Sequence, residues 1–306
     1  MATPIIATVT TGRADRALTV LTSYVKLTKP RIIELLLVTT VPAMCLAASG
    51  APKVGVVLAT LLGGTAAAGG ANAINQYLDR DIDQLMHRTR HRPLPEHVIP
   101  AGNALLFGIA LAVAAFLFMT LTVGVLAASL TSSAVVFYVF VYTLWLKRRT
   151  TQNIVIGGAA GAVPVLVGWA AVTGRVGVPA LGLFLIVFLW TPPHFWALSL
   201  VYRDEYAAAG VPMLPVIVGV DRTVQQMWWY AVMLVTATLA FILVGHMGWA
   251  YGVTAALLGI WFLYGVRRLR ADPSRRAAMV VFRESILYLT LLFVAVALDA
   301  FLARPL

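Results

Sequence analysis

The segment Asn75-Gln-Tyr-Leu-Asp79-Arg-Asp-Ile-Asp83 holds the densest chemistry in the chain. On a helix, positions 75, 79 and 83 lie four apart on one face, spaced about 6 Å along the axis. Asp81 falls about 200° around from Asp79 on the same helix. Carboxylates held that close repel one another and resist leaving water; a central Asp in a membrane costs about 2.5 to 3.5 kcal/mol on the insertion scale. A divalent cation offsets that cost. Carboxylate and amide oxygens are hard ligands that suit Mg²⁺, an ion that takes one or two carboxylates and fills its shell with substrate phosphates. The implied substrate is a phosphate or diphosphate ester. The competing reading is a solvated loop on which these acids pair with Arg80, Arg88, Arg90 and Arg92.

A second acidic site, Tyr202-Arg-Asp204-Glu205-Tyr206, favours the metal reading, because two acid-rich helix ends can clamp one ion pair. Asn75, Asp79, Asp83, Asp204 and Glu205 are therefore the candidate metal residues. Arg88, Arg92, Lys147 and Arg148 are candidates for the charge building on a departing diphosphate. For the Lys147 cluster a plain membrane anchor is the alternative. A third feature is Trp190-Thr-Pro192-Pro193-His194-Phe195-Trp196, in which tandem prolines are expected to break a helix end and His194 either faces a cavity or packs through a hydrogen bond.

These residues need elements to hold them. The 306 residues are 60% hydrophobic and 11% charged, with a mean hydropathy of +0.88. So few charges cannot coat a soluble globule of this size, and a polytopic membrane bundle remains. Nine apolar stretches of spanning length fall at about 32–50, 53–76, 104–122, 125–146, 153–173, 177–199, 225–245, 248–268 and 281–302. The fold class expected is thus an all-α bundle of about nine transmembrane helices in a single domain, 32–306, behind an N-terminal segment, 1–31. That segment has no apolar core of signal-peptide type. Its Leu18, Leu21, Val25 and Leu27 recur at helical spacing, which predicts a helix lying on the membrane surface.

Of the 23 Lys and Arg, all but Lys53, Arg175 and Arg304 fall on the N-terminal side of this zigzag. The positive-inside rule then puts the N-terminus in the cytoplasm and the C-terminus outside. The net charge of +11 sits in these flanking clusters, a membrane pattern and not a nucleic-acid one. Gly63, Gly64, Gly69, Gly70, Gly157, Gly158 and Gly161 read as close helix packing. Cys45 is the single cysteine, so neither a disulfide framework nor a thiolate zinc site exists.

Several pieces resemble a known family: Thr28-Lys-Pro-Arg31, Asn75 to Asp83 with Arg88-Thr-Arg-His-Arg-Pro93, Tyr142 to Arg148, Asn153 to Gly161, Trp190 to Trp196, and Gly210-Val-Pro-Met-Leu-Pro215. They resemble the protoheme IX farnesyltransferases (haem O synthases), a branch of the UbiA superfamily of intramembrane prenyltransferases. The resemblance implies a central cavity, Mg²⁺ as cofactor, farnesyl diphosphate and haem B as substrates, and haem O as product after addition of water. It implies a cell (inner) membrane enzyme in contact with membrane lipid, serving haem A synthase or oxidase assembly proteins. By motif, Asn75, Asp79 and Asp83 take the metal role, and His194 lies in the piece that marks the haem branch. Where the wider superfamily has two Asp residues four apart, this chain has Tyr202 and Tyr206 flanking Asp204 and Glu205. The alternatives are a related prenyltransferase acting on another aromatic or quinone-precursor acceptor, and a proton-coupled secondary transporter using Asp79 and Asp83.

Overall fold

The computed structural model describes residues 13–302, without the side chains of residues 13–17 and 31–37. Arg304, one of the three basic residues set on the outer side above, lies outside the described residues. Within them every regular element is helical. In hydrocarbon each backbone polar group needs a partner inside its own segment, and only helices supply one along a single apolar run.

The N-terminal helix α1 (Arg13–Thr28) leads into α2 (Pro30–Ala48) through Lys29, whose backbone is left-handed. Leu18, Leu21 and Val25 of α1 are exposed and Leu27 is buried, the arrangement of a helix lying along a surface. Helix α3 (Val54–Leu78) carries the first acidic motif and passes almost without interruption into α4 (Arg80–Leu85). Next come α5 (Ala101–Thr122) and α6 (Val125–Val136), the latter continued by a π-helix over Phe137–Leu146. Helices α7 (Asn153–Thr173) and α8 (Val178–Val201) follow. Short α9 (Arg203–Ala208) and α10 (Leu214–Ile217) lie before α11 (Val220–Val244), α12 (Trp249–Ala271) and α13 (Arg275–Leu302).

Among the described residues, eight helices are long and apolar enough to cross a membrane. With the 19-residue α2 the bundle has nine, as expected from the apolar stretches. Helices α11 and α13 begin several residues before their apolar runs, at Val220 and Arg275, because polar first turns extend past the span. One expectation fails: Pro192 and Pro193 do not break α8, which runs through both. Proline keeps a helical φ and removes only donors, and neighbouring helices tolerate the local loss in a membrane bundle.

The main core lies where α8, α11, α12 and α13 meet, around Trp196, Tyr251, Phe262, Tyr288 and Phe293. The other side is closed by α3 against α5. There a Cβ on Gly70 would come within 2.7 Å of the Gly108 carbonyl oxygen, so the two backbones touch. Gly63, Gly69, Gly157 and Gly158 also abut neighbours, whereas Gly64 and Gly161 face open space and are not packing glycines. The buried Asp299, at the end of α13 away from the acidic motif, accepts the Gly248 amide at 2.8 Å.

Candidate active site

The helix break at Asp79 leaves the acidic stripe intact. The Asp79 amide still donates to the Asn75 carbonyl at 2.9 Å, and the Asp83 amide to the Asp79 carbonyl at 2.8 Å. Helical spacing is therefore kept across the junction, and Asn75, Asp79 and Asp83 stay on one face. Asp79 is 1% and Asp83 3% exposed. The Asp81 side chain, on the opposite face, is 59% exposed and holds Arg148 through two hydrogen bonds of 2.6 and 2.7 Å. That guanidinium pulls the Asp81 carboxyl down to about 2.

Cations from three separate segments meet the buried acids. Lys147 Nζ donates to Asp79 Oδ2 at 2.5 Å, and Arg92 Nη1 to Asp83 Oδ2 at 2.7 Å. Arg148 reaches within 3.8 Å of Asp79 Oδ1. Lys29 Nζ donates to Asn75 Oδ1 at 2.9 Å. Burial, with the nearby Arg92 and Lys147 charges, pushes the Lys29 ammonium down to about 7. In the sequence Lys29 stands only within a matching piece, because nothing in its spacing announces that the turn before α2 folds back over α3. Two amides beside it grip the end of α1: Asn72 Nδ2 donates to the Thr28 carbonyl at 2.9 Å and Gln76 Nε2 to the Leu27 carbonyl at 2.8 Å.

The π-helix supplies the site's third wall. Its last turn closes by a bond from the Lys147 amide to the Tyr142 carbonyl at 2.8 Å, five residues back, and Thr143 Oγ1 donates to the Tyr138 carbonyl at 2.8 Å. Thr143 thereby accepts Asn75 Nδ2 at 3.2 Å, while the same amide nitrogen donates to Asp79 Oδ2 at 2.7 Å. The Asn75 oxygen is left turned toward Lys29. Thr143 is a further contact that the sequence did not disclose.

The second acidic site is placed less simply. The Glu205 carboxylate accepts the Arg88 amide at 3.2 Å, and the Arg88 guanidinium lies 5.2 Å from the Tyr202 ring centre. Burial pushes the Tyr206 phenol up. Thus α9 and the segment after α4 do meet at one end of the bundle. Asp204, by contrast, is 78% exposed in its side chain and pairs with Arg275 at the start of α13. It is not brought onto the Asn75–Asp79–Asp83 stripe.

Among the described residues, no cluster of three or more Asp, Glu, His or Cys forms a ready metal cage. The stripe nevertheless fits an ion that shares its shell with phosphate, because Asp79 Oδ1 is buried with no hydrogen-bond partner and Asn75 stands one turn earlier on the same face. His194 is a separate matter. It is 6% exposed on α8, stacked between Trp190 at 4.2 Å and Phe282 at 4.6 Å, and bonded to Ser285 Oγ at 2.7 Å.

Comparison with known proteins gives the family. The UbiA prenyltransferase family matches residues 36–297. The chain is 51% identical over 294 residues to a protoheme IX farnesyltransferase of Parafrankia sp. (strain EAN1pec), covering 95% of this chain and 94% of the relative. It is also 51% identical to one from Gloeobacter violaceus, covering 94% of this chain and 96% of that one. Among solved structures, it resembles a digeranylgeranylglyceryl phosphate synthase with a TM-score of 0.76 at 18% identity, over 92% of this chain and 99% of the other. A UbiA homologue from Archaeoglobus fulgidus bound to DMAPP and Mg²⁺ gives a TM-score of 0.68 at 15% identity, over 92% and 100%. The expectation of a prenyltransferase thus stands, the transporter alternative falls, and the chain belongs to the UbiA prenyltransferase family, in its protoheme IX farnesyltransferase branch.

Proposed function

We propose that the chain transfers the farnesyl group of farnesyl diphosphate to a vinyl group of haem B, with addition of water, to give haem O. The observation that carries the reaction class is the pair of buried carboxylates, Asp79 and Asp83, ringed by Lys29, Arg92, Lys147 and Arg148. The acceptor rests on the relatives, which are protoheme IX farnesyltransferases at about half identity along nearly their whole length.

In this reading Asn75, Asp79 and Asp83 hold Mg²⁺, which when bound draws charge from the diphosphate. Lys147, Arg148, Arg88 and Arg92 donate to diphosphate oxygens as the allylic C–O bond breaks and its electron pair leaves with the diphosphate. The vinyl π electrons form the new carbon–carbon bond, and a water molecule adds to the resulting cation and sheds a proton. The apolar bundle holds the farnesyl tail and keeps other water from the allylic cation. Glu205 orders the Arg88 backbone, and Asp204 stands at the rim on Arg275, the more distant of the two acids. His194 contacts the haem. The site faces the cytoplasm, with residues 1–31 on that side, a single transmembrane domain after them and the C-terminus outside. Haem A synthase or oxidase assembly proteins are the expected recipients of the product.

The test is direct. Purified protein incubated with haem B, farnesyl diphosphate and Mg²⁺ should yield a porphyrin heavier by one farnesyl group and one hydroxyl group in mass analysis. A product with a quinone precursor and none with haem B would transfer the reading to another acceptor.

A further inference from the structure

The hydroxyl of Ser285 sits between two partners and has one proton to give. Ser285 Oγ lies 2.7 Å from the Phe282 carbonyl, one turn earlier on α13, and 2.7 Å from His194 Nδ1. With the hydroxyl proton assigned to the Phe282 carbonyl, the oxygen meets the histidine with a lone pair. In that arrangement the ring nitrogen facing it is the donor. A neutral imidazole carries one N–H, so Nε2 keeps its lone pair.

Three further contacts hold the arrangement. Trp190 Nε1 donates to the Ser285 carbonyl at 2.7 Å, tying α8 to α13 at this residue. Trp190 and Phe282 stack on the imidazole at interplanar angles of 20° and 25°, fixing its plane. Phe195, edge-on to the ring at 5.0 Å, is itself 40% exposed, so the cluster borders an open side. His194 Nε2 has no partner among the described residues. A fixed ring plane, a fixed tautomer and a lone pair not engaged by another group are what an iron ligand requires.

We propose that Ser285 is a positioning residue: it sets the Nδ1–H tautomer of His194 and so presents the Nε2 lone pair to the iron of haem B. The inference rests on the haem reading of His194 above, and it selects iron ligation over a hydrogen bond donated from Nε2.

Two measurements test it. In the unaltered protein, nitrogen NMR of histidine-labelled full-length chain, with His194 identified by its loss in His194→Ala, should show an unprotonated Nε2 and a protonated Nδ1. A protonated Nε2 overturns the proposal without any variant at Ser285. Second, ferric haem titrated by visible absorption should show a nitrogen-ligand spectrum in the unaltered chain. Affinity should fall tenfold or more in Ser285→Ala, with farnesyl diphosphate affinity unchanged, and Ser285→Thr should restore part of it. Haem affinity unchanged in Ser285→Ala but lost in His194→Ala overturns the role of Ser285 alone. Unchanged affinity in both variants overturns the haem reading of His194, and the ligation with it, whatever tautomer is found.

Discussion

Asp79 and Asp81 are two residues apart and chemically identical, yet one is buried against Lys147 and the other lies in the open on Arg148. Removing Asp79 or Asp83 should lower turnover by about two orders of magnitude or more, as loss of a charge-stabilising group in a closed site does. Asp81→Ala should cost only a few-fold, since exposed pairs contribute about 0 to 1 kcal/mol. Steady-state rates of the three variants at saturating Mg²⁺ decide this, and equal losses would sink the single-face argument. Lys29 offers a pH test. Its folded pKa is depressed from 10.5 to about 7, so between those values the unfolded chain binds the proton and the folded chain does not. Stability should therefore rise with pH across that window. Thermal midpoints in detergent should climb from pH 7 to 9 more steeply for the unaltered protein than for Lys29→Met. At this scale the stripe was legible because a spacing of four is a helical property written in one segment. Lys29, Thr143 and Ser285 were not, because each acts through a partner 46 to 91 positions away. The surface position of Asp204 was not legible for the same reason: Arg275, its partner there, lies 71 residues on.

Elements were read more easily, since an apolar run of spanning length has only one way to satisfy its backbone in lipid. Helices α6 and α7 start where their apolar runs start, at Val125 and Asn153. What escaped was fine structure: the π-turns before Lys147, the continuity of α8 through its prolines, and the difference between glycines. That difference is measurable. Gly70→Ala places a methyl against the Gly108 backbone and should destabilise by about 1 to 3 kcal/mol, as overpacking does. Gly161→Ala meets nothing within 4 Å and should stabilise α7 by up to about 1 kcal/mol. Reversible unfolding in mixed micelles would register both signs, and equal destabilisation would show that Gly161 also packs.

For the whole molecule, the zigzag of charges makes a prediction no single helix makes. Reporter fusions after Leu306 and within residues 88–100 should report opposite sides of the membrane, the latter cytoplasmic. Matching signals would mean that the bundle contains an even number of crossings. The acids and cations of the site come from the α3–α4 junction and α4, the turn before α2, the segment after α4 and the end of the π-helix, all gathered at one end of the bundle. Chelation of Mg²⁺ should stop turnover at that end while leaving the α8–α13 core folded, with activity returning on readdition. Circular dichroism beside the activity assay separates the two effects.

Helix α1 connects this end of the molecule to its surroundings. Its exposed leucines reach outward while its last carbonyls are held by Asn72 and Gln76, directly beside Asn75, and Lys29 is the next residue along. The exposed apolar residues of α1 are thereby tethered to the turn that carries a site cation. With α1 seated in the headgroup layer, as its exposed leucines predict, the surrounding amphiphile would be a structural component of the enzyme. Activity should depend on headgroup and bilayer in a way that Leu18→Ser with Leu21→Ser abolishes, and extraction into short-chain detergent should loosen the cation before it loosens the bundle.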